Sequence, residues 1–453
     1  MPTTDRRPPV PLPPATPASP ASAAPHPGLT GGNQVRLLAG GDEQFPAMCA
    51  AIAQAREQVW LATYIFHDDA AARAVAEALA DAARRGLWVA VVVDGFGSKA
   101  TLPTLRQWLE PAGVQLVVFR RVDRWWRLLQ PGQLRRLHQK LCVVDGQVGY
   151  VGGINVIDDR NDLNHGWSEL PRLDFAVEVR GPLVAAIEQT ARAIWSRAAL
   201  GVDWRDELKS LARSAEPVAR ARRMVDRLRI LPRGDNNGPG RMRRWLAARR
   251  GSRVAIAHAE LPPVRAAFLV RDNLRQRRAI EHAYIDAIER ATRRIDVICP
   301  YFYPGRVFRH ALERAAARGV AVRLLLQGKP DYRFAALAAQ VLYGELLQAG
   351  VRIFEYTPAF LHAKVALVDD DWATVGSSNI DPLSLLLNLE ANVIVRDLHF
   401  TGELALRFEA AVQASREVTR EPLGTGWWGV ARRGFVAWSA YWFLRLAGMS
   451  GKY

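Results

Sequence analysis

The feature that most constrains the fold is an internal repeat. Two stretches, about 220 residues apart and so far beyond solenoid periods, follow one plan. In the first, VWLATYIF (59–66) reads as a strand and residues 70–85 are alanine-rich with helical spacing. Arg85-Gly86 stops that helix, and LWVAVVVDG (87–95) is a buried-strand run. In the second, IDVICPYFYP (295–304) precedes helix-like HALERAAARG (310–319) and the strand VAVRLLLQG (320–328). Strand, helix and strand with short connections make a βαβ unit, which implies parallel pairing and a sheet covered by helices. A shorter strand follows in each copy, QLVVFR (115–120) and VRIFEY (351–356). The spacing predicts a duplicated α/β domain.

Downstream of these strands each copy carries a second shared block, LHQKLCVVDGQVGYVGGIN (137–155) and LHAKVALVDDDWATVGSSN (361–379). Both fit H-x-K-x4-D-x6-G-[G/S]-x-N. The first copy supplies His138, Lys140, Asp145, Gly152, Gly153 and Asn155; the second supplies His362, Lys364, Asp369, Gly376, Ser377 and Asn379. Strand residues two apart share a face, so each His and Lys project together. Only six of the 61 basic residues are lysine, and two of those six fall here. That choice points to a compact point charge rather than a planar fork.

Two His, two Lys and two Asn in one cleft suit a phosphodiester. A neutral imidazole can attack phosphorus and form a covalent intermediate. A second, protonated imidazole donates to the leaving oxygen and later accepts a proton from the incoming hydroxyl. Lysines and asparagines would hold the non-bridging oxygens, an arrangement needing no metal and no cofactor. A single copy of such a short motif could equally be a hairpin with an exposed His and Lys; the matched pair argues otherwise.

These residues resemble the phospholipase D superfamily, whose mark is a pair of HxKxxxxD motifs at the interface of two α/β halves. Within it the chain is similar to the bacterial cardiolipin synthases, of the B type, over about residues 34 to 445. YIF (64–66), RRGLWVAVVVDGFGS (84–98), RGVAVRLLLQGKPD (318–331) and WATVGSSNIDPLSLLLNLEANV (372–393) carry the likeness. It implies a fold of two duplicated α/β/α sandwich halves forming a pseudo-twofold monomer. It implies a phosphatidyl-histidine on His138, with His362 as acid and base, and transfer between two phosphatidylglycerols. Phosphatidylethanolamine is an alternative donor, glycerol an alternative acceptor. The motif residues His138, Lys140, Asp145, His362, Lys364 and Asp369 form the expected catalytic set, within which the two aspartates are read as structural, tying turn and lysine together, rather than as directly catalytic. Asn155, Asn379, Ser377 and Gly153 are expected to support phosphate. In the family an acid after each motif orients the histidine, which points to Glu390 in the second half and Asp174 in the first. With Gly153 facing Ser377 across the pseudo-symmetry, one hydroxyl contact is expected to be missing. The same chemistry would also serve a phospholipase D-type hydrolase or a phosphodiesterase nuclease.

The charge pattern separates lipid from nucleic acid. The net +16 is carried by residues 205–253 (+10), 120–140 (+6) and 425–453 (+4), leaving the rest at −4. Trp125 and Trp126 sit among the arginines of 120–136, RMRRWLAARR (241–250) repeats the mixture, and Trp427, Trp428, Trp438 and Trp442 mark the C-terminus. Basic residues interleaved with tryptophan suit an anionic membrane surface better than a phosphate backbone, so no nucleic-acid partner is expected. No run of 18 apolar residues occurs, and the paired N-terminal membrane helices of the A type are missing. The expected location is peripheral, on the cytoplasmic face of a bacterial inner membrane. The expected organisation is a proline-rich tail (1–33), a first half (34–204), a basic linker (205–262), a second half (263–415) and a membrane-associating segment (416–453). Cys49, Cys142 and Cys299 are too scattered for a zinc site or disulfide framework.

Overall fold

The computed structural model describes residues 28–121, 135–163, 165–199, 261–271, 278–329, 333–381, 384 and 388–419. The proline-rich tail, the Trp125–Trp126 segment, the basic linker up to residue 260 and the C-terminal segment from residue 420 lie outside the described residues.

The first half contains β1 (Thr30–Ala39), α1 (Gly40–Ala53), β2 (Gln58–Thr63), α2 (Ala70–Arg84), β3 (Trp88–Asp94), α3 (Leu102–Leu109) and β4 (Gln115–Phe119). It continues with β5 (Lys140–Val144), β6 (Val148–Gly152), the short strands β7 (Asn161–Asp162) and β8 (Gly166–Trp167), β9 (Phe175–Arg180) and α4 (Val184–Ala199). The second half contains β10 (Val264–Arg271), α5 (Ala279–Arg290), β11 (Arg294–Cys299), α6 (Arg306–Ala317), β12 (Ala321–Gln327) and α7 (Arg333–Gln348). It ends with β13 (Arg352–Tyr356), β14 (Val365–Val368), β15 (Trp372–Gly376), β16 (Glu390–Arg396), α8 (Leu398–Gln413) and β17 (Ser415–Glu417).

The repeat is literal in the strand order. Read outward from the middle, the first half runs β1-β9-β6-β5-β2-β3-β4 and the second β10-β16-β15-β14-β11-β12-β13, with β17 added at the edge. The βαβ units pair in parallel, β2 with β3 and β11 with β12, as the sequence predicts. The same punctuation repeats too: α2 and α6 are each closed by a glycine at positive φ, Gly86 and Gly319, where a side chain would be strained. At its start α2 is capped by Asp69, which accepts the Ala72 N–H at 2.9 Å.

The halves join through an irregular antiparallel seam, Thr30 opposite Ala266 and Asn33 opposite Val264. The first strand therefore begins inside the expected tail, and a boundary at residue 33 cuts through the seam. At the other end β17 runs two residues past the expected limit of 415.

Buried strands alternate between two apolar faces. Val59, Leu61, Val89, Val91 and Val93 meet Phe45, Met48, Val75, Leu79 and Leu105 of α1–α3 in an outer core. Ile295, Val297, Val322 and Leu324 do the same with α5 and α6. The opposite faces, Trp60, Ala62, Ala90 and Val92 in one half and Val365, Leu367, Val375 and Val393 in the other, share a single core with α4 and α8. Strands β6 and β9 touch β15 and β16 across it. The expected pair of α/β/α sandwiches thus shares its middle layer. Each half buries apolar surface against the other, and at roughly 25 cal/mol per Å² this holds them as one body.

Candidate active site

The two motifs meet because each strand entry is zipped to the other half. His138 N–H donates to Leu389 O at 3.0 Å and Leu389 N–H to Arg136 O at 2.9 Å. The mirror set joins Leu173 to Phe360 and His362: Leu173 N–H donates to Phe360 O and His362 N–H to Leu173 O, both at 2.8 Å. A second device holds the residue before each histidine. Asp94, at the end of β3, accepts the Leu137 N–H at 2.9 Å, and Gln327, at the end of β12, accepts the Leu361 N–H at 2.9 Å. Sequence reasoning missed both; their matching place at the end of the second parallel strand was the available signal.

The carboxylates cross over. Glu390, from the second half, lies 3.0 Å from His138 Nδ1. Asp174, from the first half, lies 2.6 Å from His362 Nδ1. Each acid follows one motif in sequence and orients the histidine of the other. Burial works to raise the pKa of Glu390, but His138, Lys140 and the Ser377 hydroxyl hold it below the usual range. Asp174 is likewise held down against burial by His362 and Lys364. Two ionised acceptors require that Nδ1 of each ring carry the proton. Nε2 is then the free lone pair. Burial pushes His138 below its ordinary value against the pull of Glu390, and burial with Lys364 pushes His362 well below.

Lys140 and Lys364 are 4% and 1% exposed. Each ammonium donates to the carbonyl of its own histidine, Lys140 at 2.7 Å. Burial brings Lys140 down to about 7 despite Glu390, with Lys364 adding to the fall. Burial brings Lys364 to about 8 despite Asp174. Tyr64 makes a tilted ring contact with His138 at 5.2 Å between centroids, and Lys140 Nζ lies 5.6 Å from the centre of the Tyr64 ring.

Three expectations change here. Asp145 and Asp369 do not join the cleft or touch the lysines. They sit seven residues along an extended strand from their histidines, on the order of 20 Å away. Both adopt positive φ, +50° and +52°. Asp145 accepts the N–H groups of Arg56, Glu57 and Gln58 at 2.8–2.9 Å; Asp369 accepts those of Thr292, Arg293 and Arg294. They tie the loop before each half's first parallel strand, β2 or β11, to the motif turn. Ser377 is fully buried and does not face phosphate. Its hydroxyl donates to Glu390 Oε2 at 2.6 Å and accepts the Ala391 N–H at 3.0 Å. Gly153 faces no gap either. Asp174, one carbon shorter than Glu390, puts Oδ1 where a side chain on Gly153 would stand. That oxygen accepts the Phe175 N–H at 2.8 Å, the counterpart of Ala391. Oδ1 thus replaces the serine hydroxyl while Oδ2 serves His362, so no contact is missing. Asn155 spends its carbonyl oxygen on Ile65 N–H at 3.2 Å. Asn379 Oδ1 is buried with no partner among the described residues.

Alanine at Asp369 is expected to cost about 2 kcal/mol through its lost backbone partners, with kcat unchanged. Its carboxyl is held low: burial opposes, and the N–H groups of Arg293, Arg294 and Thr292 prevail. The stabilisation is therefore complete above the unfolded value near pH 4 and lost as pH falls through the lower folded value. Thermal melts of wild type and variant at pH 7 and pH 3 check this; an equal gap at both would refute it.

The duplicated fold with two H-x-K motifs closing one cleft defines a member of the phospholipase D superfamily. A family profile described as "Cardiolipin synthase, PLD-like domain" matches residues 48–167 and 284–412. Cardiolipin synthase B of Escherichia coli (strain K12) is 34% identical over 405 residues, 88% of this chain and 86% of that protein. Cardiolipin synthase A of Pseudomonas putida (strain GB-1) is 32% identical over 390 residues, 86% and 70% of the two. The chain belongs to the cardiolipin synthase family. Among solved structures, phosphatidylserine synthase from Haemophilus influenzae Rd KW20 shares the fold, with a TM-score of 0.58 at 12% identity over 92% of this chain and 95% of that one. Among the described residues no helix is long and apolar enough to cross a membrane.

Proposed function

We propose that this chain is a phosphatidyltransferase that joins two phosphatidylglycerols into cardiolipin and releases glycerol. The observation that carries the reading is the crossed pair of ionised carboxylates, each fixing one imidazole so that Nε2 is free. Nε2 of His138 attacks phosphorus, the bond from phosphorus to the glycerol oxygen breaks, and that oxygen takes a proton from His362. A hydroxyl of a second phosphatidylglycerol then gives its proton to His362 and attacks phosphorus. The P–N bond breaks, cardiolipin leaves and His138 is restored. Both imidazoles rest neutral before substrate enters; the phosphodiester anion between Lys140 and Lys364 supplies the negative charge that lets His362 take up a proton from solvent at Nε2 as the substrate binds. The same anion keeps the lysines charged. The chain works as a monomer whose pseudo-twofold supplies both motifs, peripherally on the cytoplasmic face of the membrane, with no nucleic-acid partner.

Purified protein in liposomes of labelled phosphatidylglycerol is expected to yield cardiolipin and glycerol; phosphatidic acid alone would make it a hydrolase and overturn the assignment. The pH profile follows from the lysines. In the free enzyme kcat/KM is expected to fall as pH rises through about 7 to 8, where Lys140 and then Lys364 lose the proton needed to hold phosphate. A flat profile to pH 9 would refute that role.

A further inference from the structure

We infer that the β7–β8 hairpin is a bilayer-inserting tip that seats the cleft on its lipid substrate. The inference rests on the phosphatidyltransferase reading and adds where the membrane is met. Leu163, Trp167 and Leu170 are 54%, 65% and 51% exposed, three large apolar side chains within eight residues. Isolated exposed apolar residues are ordinary, but a cluster on one small element marks an interaction surface.

The hairpin is built rather than loose. β7 and β8 pair Asn161 with Trp167 and Asp162 with Gly166. Asp162 accepts the His165 N–H at 3.0 Å, Arg172 donates to Asn161 O at 2.9 Å, and Ser168 Oγ donates to Leu170 O at 2.7 Å. Its backbone and several polar side chains are thus paired within the hairpin, while Leu163, Trp167 and Leu170 face out beside the exposed His165 and Glu169, a mixed surface that suits a water–hydrocarbon boundary.

Its place matters equally. The hairpin follows β6 at the cleft end of the sheet and returns through Leu173, the residue bonded to His362. His165 stacks on Phe360, two residues before His362, at 5.1 Å between centroids. Phe96, 49% exposed after β3, and Val307, 60% exposed at the start of α6, lie at the same ends of their own half-sheets. Leu398 and Leu406 are more exposed still but sit on α8, whose start is about 25 Å along β16 from Glu390. A lipid must leave a bilayer to reach the histidines, so the apolar rim beside the cleft is the part that meets it. Residues 161–170 hold no Lys or Arg and two acids, Asp162 and Glu169, so the attachment is apolar rather than electrostatic.

A variant carrying Leu163→Ser, Trp167→Ser and Leu170→Ser tests this in the full-length chain. With vesicles of phosphatidylglycerol and phosphatidylcholine, binding is expected to fall about tenfold to a hundredfold, by a factor unchanged between low and high salt. Turnover of a short-chain phosphatidylglycerol below its micellar concentration is expected to stay within twofold, which also shows that the variant folds. A Leu406→Ser variant is expected to bind as wild type does. As a local readout, an environment-sensitive fluorophore on Leu163→Cys, in a Cys49→Ser background, is expected to shift to the blue with vesicles, and the same label on Leu406→Cys is not. Unchanged vesicle binding by the triple variant, or a label at 163 blind to vesicles, overturns the inference and makes the tip a protein contact. Wild type that binds vesicles through the tip but makes no cardiolipin would instead defeat the assigned activity.

Discussion

Alanine at His138 is expected to remove cardiolipin synthesis by a factor on the order of 10⁵ to 10⁶, the scale seen when a covalent nucleophile is deleted. Alanine at His362 is expected to cost about 10² to 10⁴, the scale of general acid–base assistance. The gap becomes diagnostic with a phosphatidyl ester of p-nitrophenol, whose leaving oxygen needs no proton. With that substrate the His362→Ala variant is expected to release p-nitrophenol in a burst and hold the phosphatidyl group on His138. The His138→Ala variant is expected to give no burst. The reverse pattern would exchange the two roles, and normal cardiolipin synthesis by either variant would end the two-histidine mechanism.

The second large effect concerns the small residues beneath the carboxylates. Serine at Gly153 would overlap Asp174 Oδ1 and displace the acid that orients His362. A shift of about 1 Å there is expected to lower kcat about 100-fold. Glycine at Ser377 strips Glu390 of a hydroxyl donor and leaves the Ala391 N–H without its acceptor, for a loss of about 10-fold to 100-fold. Gly with Asp and Ser with Glu are two solutions to one packing problem, so each loss is expected to be largely repaired by its partner. Gly153→Ser with Asp174→Glu, and Ser377→Gly with Glu390→Asp, should recover most of the activity. A double variant whose losses simply multiply would show that the pairs are uncoupled.

Much of this molecule was legible in its sequence. Apolar runs such as 87–95 and 320–328 are mostly buried and read as central strands, so the βαβ units and the duplication were readable. The paired motif gave His138, Lys140, His362 and Lys364 because side chains two apart on a strand share a face. The crossing of Glu390 and Asp174 was not readable, since it depends on which strand ends meet across the interface and spacing along the chain carries no such information. The same reason hid Asp94 and Gln327. The roles of Ser377 and Gly153 were misread because a motif records which residues recur, whereas a difference of one methylene between Asp174 and Glu390 decides what the neighbouring side chain must do. Asp145 and Asp369 serve the turn, as the motif suggests, but not the lysines, because strand length alone carries them to the far end.

The crossed carboxylates also bear on how such a gene can change. Neither repeat holds a complete dyad, so neither copy is a spare that can decay while the other keeps working. A lesion that unfolds one half silences both histidines at once, and activity reports the integrity of the whole chain like a two-key lock. The two copies can still drift apart in sequence, as Gly153–Asp174 and Ser377–Glu390 have done, provided each keeps serving its opposite. Duplication here produced mutual dependence, and fusion in one polypeptide guarantees that the two dependants are always made in equal number.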